Sequence, residues 1–147
     1  MKKIITKPHL FFFALIPIVL IVGYVLKNES LNLNIYDSYF VATFNHISYF
    51  FATFLGLVGL NYLSLHWGNK KTIKWMTAAH IILQVFSLLL FFTKDNWNWL
   101  SKDEHPTTLQ MSMDYSNIVL ISSILIFILS AFIHLINFFV SLISKSK

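Results

Sequence analysis

The sequence predicts an all-α integral membrane protein, a four-helix bundle with both termini on the inner side of the membrane. The 147 residues are 56% hydrophobic and only 12% charged, which is more apolar surface than a soluble core of this size can enclose. Four long stretches are nearly free of charge, and the lysines sit at their ends. We therefore expect one transmembrane domain over residues 1–147.

The apolar stretches predict helices over about residues 10–26, 39–65, 73–92 and 118–143. Each reaches the ~20 residues that cross ~30 Å of hydrocarbon. The second and fourth stretches are longer, so we expect them to tilt or to extend past the bilayer. The first stretch follows Met-Lys-Lys, as in a signal peptide, but no small-x-small cleavage pattern follows it. It is therefore expected to be retained as a helix.

The distribution of lysines predicts the orientation. Eight of the eleven lysines lie before the first stretch, between the second and third, or at the C-terminus. The other three lysines and all six acidic residues fall on the opposite side. The positive-inside rule then places both termini in the cytoplasm. Because the bias toward Lys, Asn, Ile and Phe is typical of a bacterial sequence, we expect a multi-pass protein of the bacterial inner membrane.

Several function classes are excluded by composition and motif. The absence of cysteine rules out disulfides and thiolate metal sites. The net charge of +5 does not indicate a nucleic-acid partner, because the lysines cluster at helix ends and form no solvated basic face. No glycine-rich phosphate loop, Ser-His-Asp arrangement or HExxH motif occurs.

Three histidines, His46, His80 and His134, fall within the predicted spans. An ionisable side chain inside a bilayer is costly and is a functional candidate. Neutral imidazole is a common axial ligand of haem iron, so haem b is the cofactor that these residues would suit. The pair could be His46 with His80, His80 with His134, or His46 with its mate in a homodimer. His46 is expected about nine residues into the second helix, roughly 13 Å deep.

A structural interpretation competes with the haem ligands. Each histidine can instead bond a backbone carbonyl, a serine or an asparagine inside the bundle, and for His80 and His134 we favour this interpretation. Polar residues of the last helix recur near helical spacing and predict a packing face rather than a channel: Ser122, Ser123, Ser130, His134, Asn137 and Ser141. His9, His66 and His105 are expected at the membrane periphery, and Gly56 and Gly59 predict close helix packing.

The segment from Leu33 to Trp67 resembles part of subunit I of the haem-copper oxidases. The family pattern is a histidine followed by Asp-Thr-Tyr-Phe-Val-x-Ala-His-Phe-His, at the outer start of its tenth helix. Residues 36–46 here read Tyr-Asp-Ser-Tyr-Phe-Val-Ala-Thr-Phe-Asn-His, and Gly56 to Gly59 and His66-Trp67 follow, similar to the family's Gly-Gly-x-x-His-Trp. More broadly, the chain resembles the last four helices of that subunit in truncated form.

The resemblance implies a remnant rather than a working oxidase. His46 matches the histidine that ligates the low-spin haem, and Asp37 matches an acidic residue that helps to hold a magnesium ion. Phe44 replaces the ligand of the oxygen-binding haem, and Tyr36 replaces the leading histidine. The helices that supply the copper ligands and the paired arginines that hold haem propionates have no counterpart.

Three functions follow as expectations. The first is a non-catalytic, oxidase-subunit-I-like protein in contact with the lipid bilayer and with the subunits of a respiratory terminal oxidase, or with a second copy of itself. The second is a small b-type cytochrome that binds haem through His46 for electron transfer or gas sensing. The third is a small transporter or channel, which the absence of a broken-helix pattern disfavours.

Asp37 also has a structural interpretation that needs no metal. At the expected start of the second helix its carboxylate would cap free backbone N–H groups and suit the positive end of the helix dipole.

Overall fold

The computed structural model describes residues 6–35, 38–94, 96 and 115–144. These residues form four helices and one antiparallel hairpin. The helices are α1 (Pro8–Val25), α2 (Phe44–Trp67), α3 (Lys74–Phe92) and α4 (Tyr115–Ile143), and the strands are β1 (Ser30–Ile35) and β2 (Ser38–Thr43). All four helices are long and apolar enough to cross a membrane, which confirms the multi-pass prediction.

The hairpin between α1 and α2 is the departure from the all-α prediction. Ser30 pairs with Thr43 and Ile35 with Ser38 along an antiparallel ladder. Residues 30–35 alternate polar and apolar side chains, the period-2 pattern of a strand. Residues 39–43 are aromatic, β-branched or small, and the sequence prediction gave them to the second helix. Hydropathy alone cannot separate a short apolar strand from a helix end.

The start of α2 therefore lies five residues after the predicted position. Thr43 stands at the N-cap in extended conformation and Phe44 is the first helical residue. His46 is thus the third residue of α2. It lies roughly 3 Å along the axis from the first helical residue, whereas the prediction placed it roughly 13 Å from the outer end of the helix. Asp37, predicted to cap this helix, lies outside the described residues.

The described chain divides into two compact units. The first comprises residues up to Thr77 together with those from Asn137 onward, and the second is Ala78–Ile136. In the first unit, α2 buries a seam at alternating three- and four-residue spacing: Phe44, Ser48, Phe51, Leu55, Val58, Tyr62 and Leu65. This average spacing of 3.5 residues is the pattern of paired helices.

Small residues let α1 approach this seam closely. A Cβ built on Gly23 would lie 2.0 Å from the Ser48 Oγ, and one on Gly59 would lie 2.8 Å from the Phe13 ring. Beyond the Gly59 contact, the rings of Phe12 and Tyr62 stack with their centres 5.6 Å apart. Close packing at Gly59 is confirmed, whereas for a Cβ on Gly56 the nearest atom among the described residues is the Ile16 Cδ1, at 3.8 Å.

A Schellman motif ends α2. Asn69 takes a left-handed φ of 51°, the Lys70 N–H donates to the Leu65 carbonyl at 2.9 Å, and the Asn69 N–H donates to the His66 carbonyl at 3.2 Å. Asparagine tolerates this conformation because its short polar side chain bonds locally. The Lys70 ammonium then donates to the Ser144 carbonyl at 2.7 Å, just past the end of α4.

Candidate functional site

The second unit buries polar side chains where an apolar core is usual. They lie at three-, four- or seven-residue spacing, so each helix presents them on one stripe. The six residues are His80, Gln84 and Ser87 of α3 with Ser123, Ser130 and His134 of α4, and each is at most 2% exposed. In a lipid environment such groups are stable only when they bond one another across the helix pair.

Ser130 links the two helices through His80. The His80 Nδ1 lies 2.9 Å from the Ser130 backbone oxygen and 2.8 Å from its hydroxyl. Because a carbonyl oxygen only accepts, Nδ1 donates to it and carries a proton. The Ser130 Oγ also lies 3.1 Å from the His80 carbonyl oxygen and 3.1 Å from the Gln84 Oε1. The structural interpretation of His80, a bond to a carbonyl and a serine, is confirmed.

The structure brings His80 and His134 together. Their ring centres are 4.9 Å apart and their planes are 27° from parallel. Two imidazoles that ligate one haem iron from opposite faces have ring centres roughly 6 Å apart, since each metal–nitrogen bond is about 2 Å long. The two rings are therefore too close for a haem between them, and this pair does not fit the haem-ligand hypothesis.

His46 occupies a different setting. It is exposed in the first turn of α2, and its Nδ1 hydrogen-bonds the Thr43 Oγ1 at the helix N-cap. This contact is local and orients the ring at the start of the helix. The haem-ligand role of His46 stays a prediction, and the magnesium-site role of Asp37 falls outside the described residues.

Asn137 of α4 anchors the start of α3 within the first unit. Its Oδ1 accepts the Ile73 N–H at 3.0 Å, and its Nδ2 donates to the Thr77 Oγ1 at 3.0 Å. The Ser141 Oγ lies 3.5 Å from the same Oδ1, and the Tyr62 hydroxyl faces Thr77 and Asn137. An amide that accepts from the residue before a helix acts as a cap from a distant part of the chain.

The polar stripe predicted on the last helix is thus a packing face. Ser123, Ser130, His134, Asn137 and Ser141 are all buried, whereas Ser122 is half-buried.

His9 and His66 form a pair that the sequence prediction missed. Both were assigned to the periphery, but their ring centres lie 5.1 Å apart with planes 31° from parallel. In the sequence, the one indication is that His9 and His66 lie three and four residues from Phe12 and Tyr62. Those two aromatic residues stack one turn away on the same two helices. His105 lies outside the described residues.

No larger ligand cluster accompanies these pairs. Across residues 6–35, 38–94, 96 and 115–144, no group of three or more His, Cys, Asp or Glu side chains is placed to hold a metal ion. Comparison with known protein families, with curated proteins and with solved structures finds no match to this chain. The oxidase resemblance rests on the residues themselves, and within it residues 38–43 form a strand.

We expect His80 and Ser130 to be energetically coupled. In a double-mutant cycle of His80→Ala and Ser130→Ala, the coupling free energy should be about 1 kcal/mol, since buried hydrogen bonds between membrane helices have that order of strength. The measurement is unfolding by SDS titration followed by circular dichroism. A matched cycle of His80→Ala with Ser122→Ala should be additive, and equal coupling in both cycles would contradict the assigned bonds.

Proposed function

We propose that this chain is a non-catalytic, oxidase-subunit-I-like protein of the bacterial cytoplasmic membrane. Both termini lie in the cytoplasm, and the chain associates with a respiratory terminal oxidase as an accessory or interaction partner. The observation that carries the proposal is the separation of polar from apolar side chains in the helices. The polar side chains of the second unit bond one another between α3 and α4, while large apolar side chains cover the exposed face of α4.

The exposed face of α4 has the spacing of a helix-packing surface. Five large side chains follow one another at intervals of four and three residues, each more than half exposed: Leu125, Leu129, Phe132, Ile136 and Phe139. Lipid contact alone requires only that this face be apolar. A continuous ridge with 3.5-residue spacing also suits a second helix lying along it. We refer to these five residues as the α4 ridge.

The choice of partner rests on the resemblance of residues 33–67 to oxidase subunit I. A chain that keeps the His46 and Asp37 positions but has Phe44 and Tyr36 in place of the other ligands retains a packing unit without the oxygen-reducing site. The orientation rests on the lysines: Lys7 precedes α1, Lys70 and Lys71 join α2 to α3, and Lys74 begins α3. These charges favour the cytoplasmic side.

The α4 ridge provides the test. We would place a photo-activated crosslinking residue at Phe132, expose cells to light, purify the chain and identify the attached peptides by mass spectrometry. The matched control carries the same residue at Ile18, which is exposed on α1 but outside the ridge. We expect oxidase peptides from position 132 and none from position 18.

Two outcomes would contradict this function. Crosslinks from position 132 to lipid alone would show that the ridge faces only the bilayer. Crosslinks to a second copy of the chain alone would indicate a homodimer in place of the oxidase complex.

A further inference from the structure

The ring centres of His9 and His66 are separated by a distance that suits two ligands of one metal ion. Two imidazoles on a tetrahedral or square-planar ion have ring centres roughly 4.5–5 Å apart, because bonds of about 2 Å meet there at about 90–110°. The observed separation is 5.1 Å, with planes 31° from parallel. The rings come from facing helices, His9 at the start of α1 and His66 near the end of α2.

The His9 ring presents an available ligand atom at this place. The residue is only 6% exposed, and its Nδ1 has no hydrogen-bond partner within the part of the chain that the structure describes. Buried polar atoms are normally bonded, so an unused nitrogen needs an explanation. A metal ion shared with His66 supplies one.

The pair lies next to a closely packed part of the two helices. One turn along each helix, Phe12 and Tyr62 stack with planes 10° from parallel, and both side chains are at most 2% exposed. The next contact on the same face is Gly59 against Phe13. Ligands that are held by packed helices keep their geometry before the ion arrives, which favours binding.

The surroundings allow an ion here and disfavour one at the other histidine pair. His66 is exposed, so water can complete the coordination shell. His80 and His134 are each at most 2% exposed, and a doubly charged ion would be costly at such a buried position. Lys7 interacts electrostatically with His9, and its positive charge weakens cation binding without preventing it.

We propose that His9 and His66 form a two-histidine site for a divalent transition-metal ion at the lysine-rich end of α1 and α2. The ion belongs to the class that imidazole prefers, namely Cu²⁺, Ni²⁺ or Zn²⁺. Two protein ligands leave at least two coordination positions for water or for a group brought by another molecule. This site is independent of the α4 ridge and of association with an oxidase.

The test is zinc titration of the 147-residue chain in lipid nanodiscs by isothermal calorimetry. We expect one zinc ion per chain, and His9→Ala and His66→Ala should each weaken its binding by at least about tenfold, because each removes one of two ligands. His46→Ala is the matched control, since it removes an imidazole that lies outside the pair, and it should leave the affinity unchanged. Lys7→Gln should strengthen binding by about threefold by removing the opposing charge.

A second readout identifies the ligands directly. With Cu²⁺ and ¹⁵N-labelled histidine, electron paramagnetic resonance should detect two imidazole nitrogens in the wild type and one in His66→Ala. His66 is exposed, so His66→Ala is not expected to disturb folding. This variant therefore tests the metal site even where His9→Ala disturbs folding. No saturable zinc binding, or an unchanged affinity in His66→Ala, would overturn the site and leave the two rings as a packing pair.

Discussion

Gly23→Ala should disrupt the packing of α1 against α2. The added Cβ would lie 2.0 Å from the Ser48 Oγ and 2.3 Å from the Ser48 Cβ. A rotamer change cannot move a Cβ, and the Ser48 hydroxyl is already bonded to the Phe44 carbonyl at 2.8 Å. The helices must therefore separate locally, and we expect a loss of about 3 kcal/mol in the free energy of unfolding, measured by SDS titration.

Two variants separate this clash from the general effect of replacing glycine. Gly56→Ala places a methyl group 3.8 Å from its nearest neighbour, and it should stabilise α2 by up to about 1 kcal/mol, as alanine does in helices. Adding Ser48→Gly to Gly23→Ala removes both atoms that clash and should restore much of the lost stability. Wild-type stability in Gly23→Ala alone would mean that the helices are not in this close contact.

Asn137→Leu should loosen the start of α3. Leucine keeps the number and branching of the side-chain heavy atoms but leaves the Ile73 N–H without its acceptor and the Thr77 hydroxyl without its donor. The bond from the Ile73 N–H is part-buried, and a buried backbone N–H left unsatisfied costs about 1–3 kcal/mol. We expect a loss of about 2 kcal/mol, with faster hydrogen exchange of the amides of residues 73–77.

The control for Asn137→Leu lies on the same helix. Ser122→Ala changes a half-buried polar residue of the second unit, fifteen positions before Asn137 (137 − 122), and it should leave both the stability and the exchange of residues 73–77 near wild type. Protection of those amides that is unchanged by Asn137→Leu would show that the asparagine does not cap α3.

The helices were predictable because crossing a bilayer demands a long apolar run, and α3 begins and ends within one residue of the expected range. The hairpin was not predictable, because the segment from Tyr39 to Thr43 is apolar enough for either a helix end or a strand. The choice depends on pairing with residues 30–35, which lie before the expected start of the second helix. Moving the helix start to Phe44 also changed the depth assigned to His46.

The sequence also predicted part of the buried polar face. The spacing of Ser130, His134 and Asn137 along α4 predicted a buried face, because a polar stripe on an apolar helix must pack inward. It could not reveal which partner each residue meets. His9 and His66 are 57 positions apart (66 − 9). Their contact follows from the register between α1 and α2, which depends on the close approach of the helices at Gly23 and Gly59.

The hairpin decides where this chain can tolerate changes in length. β2 leads into α2 without a linker, and the Phe44 N–H donates to the Glu29 carbonyl at 3.3 Å, so the ladder and the helix share one register. One residue inserted between Thr43 and Phe44 would turn the buried face of α2 by about 100° and shift it by about 1.5 Å. Residues added between Ile35 and Ser38, where the ladder ends, would leave its pairs in register. An epitope for locating this side of the membrane belongs at that position.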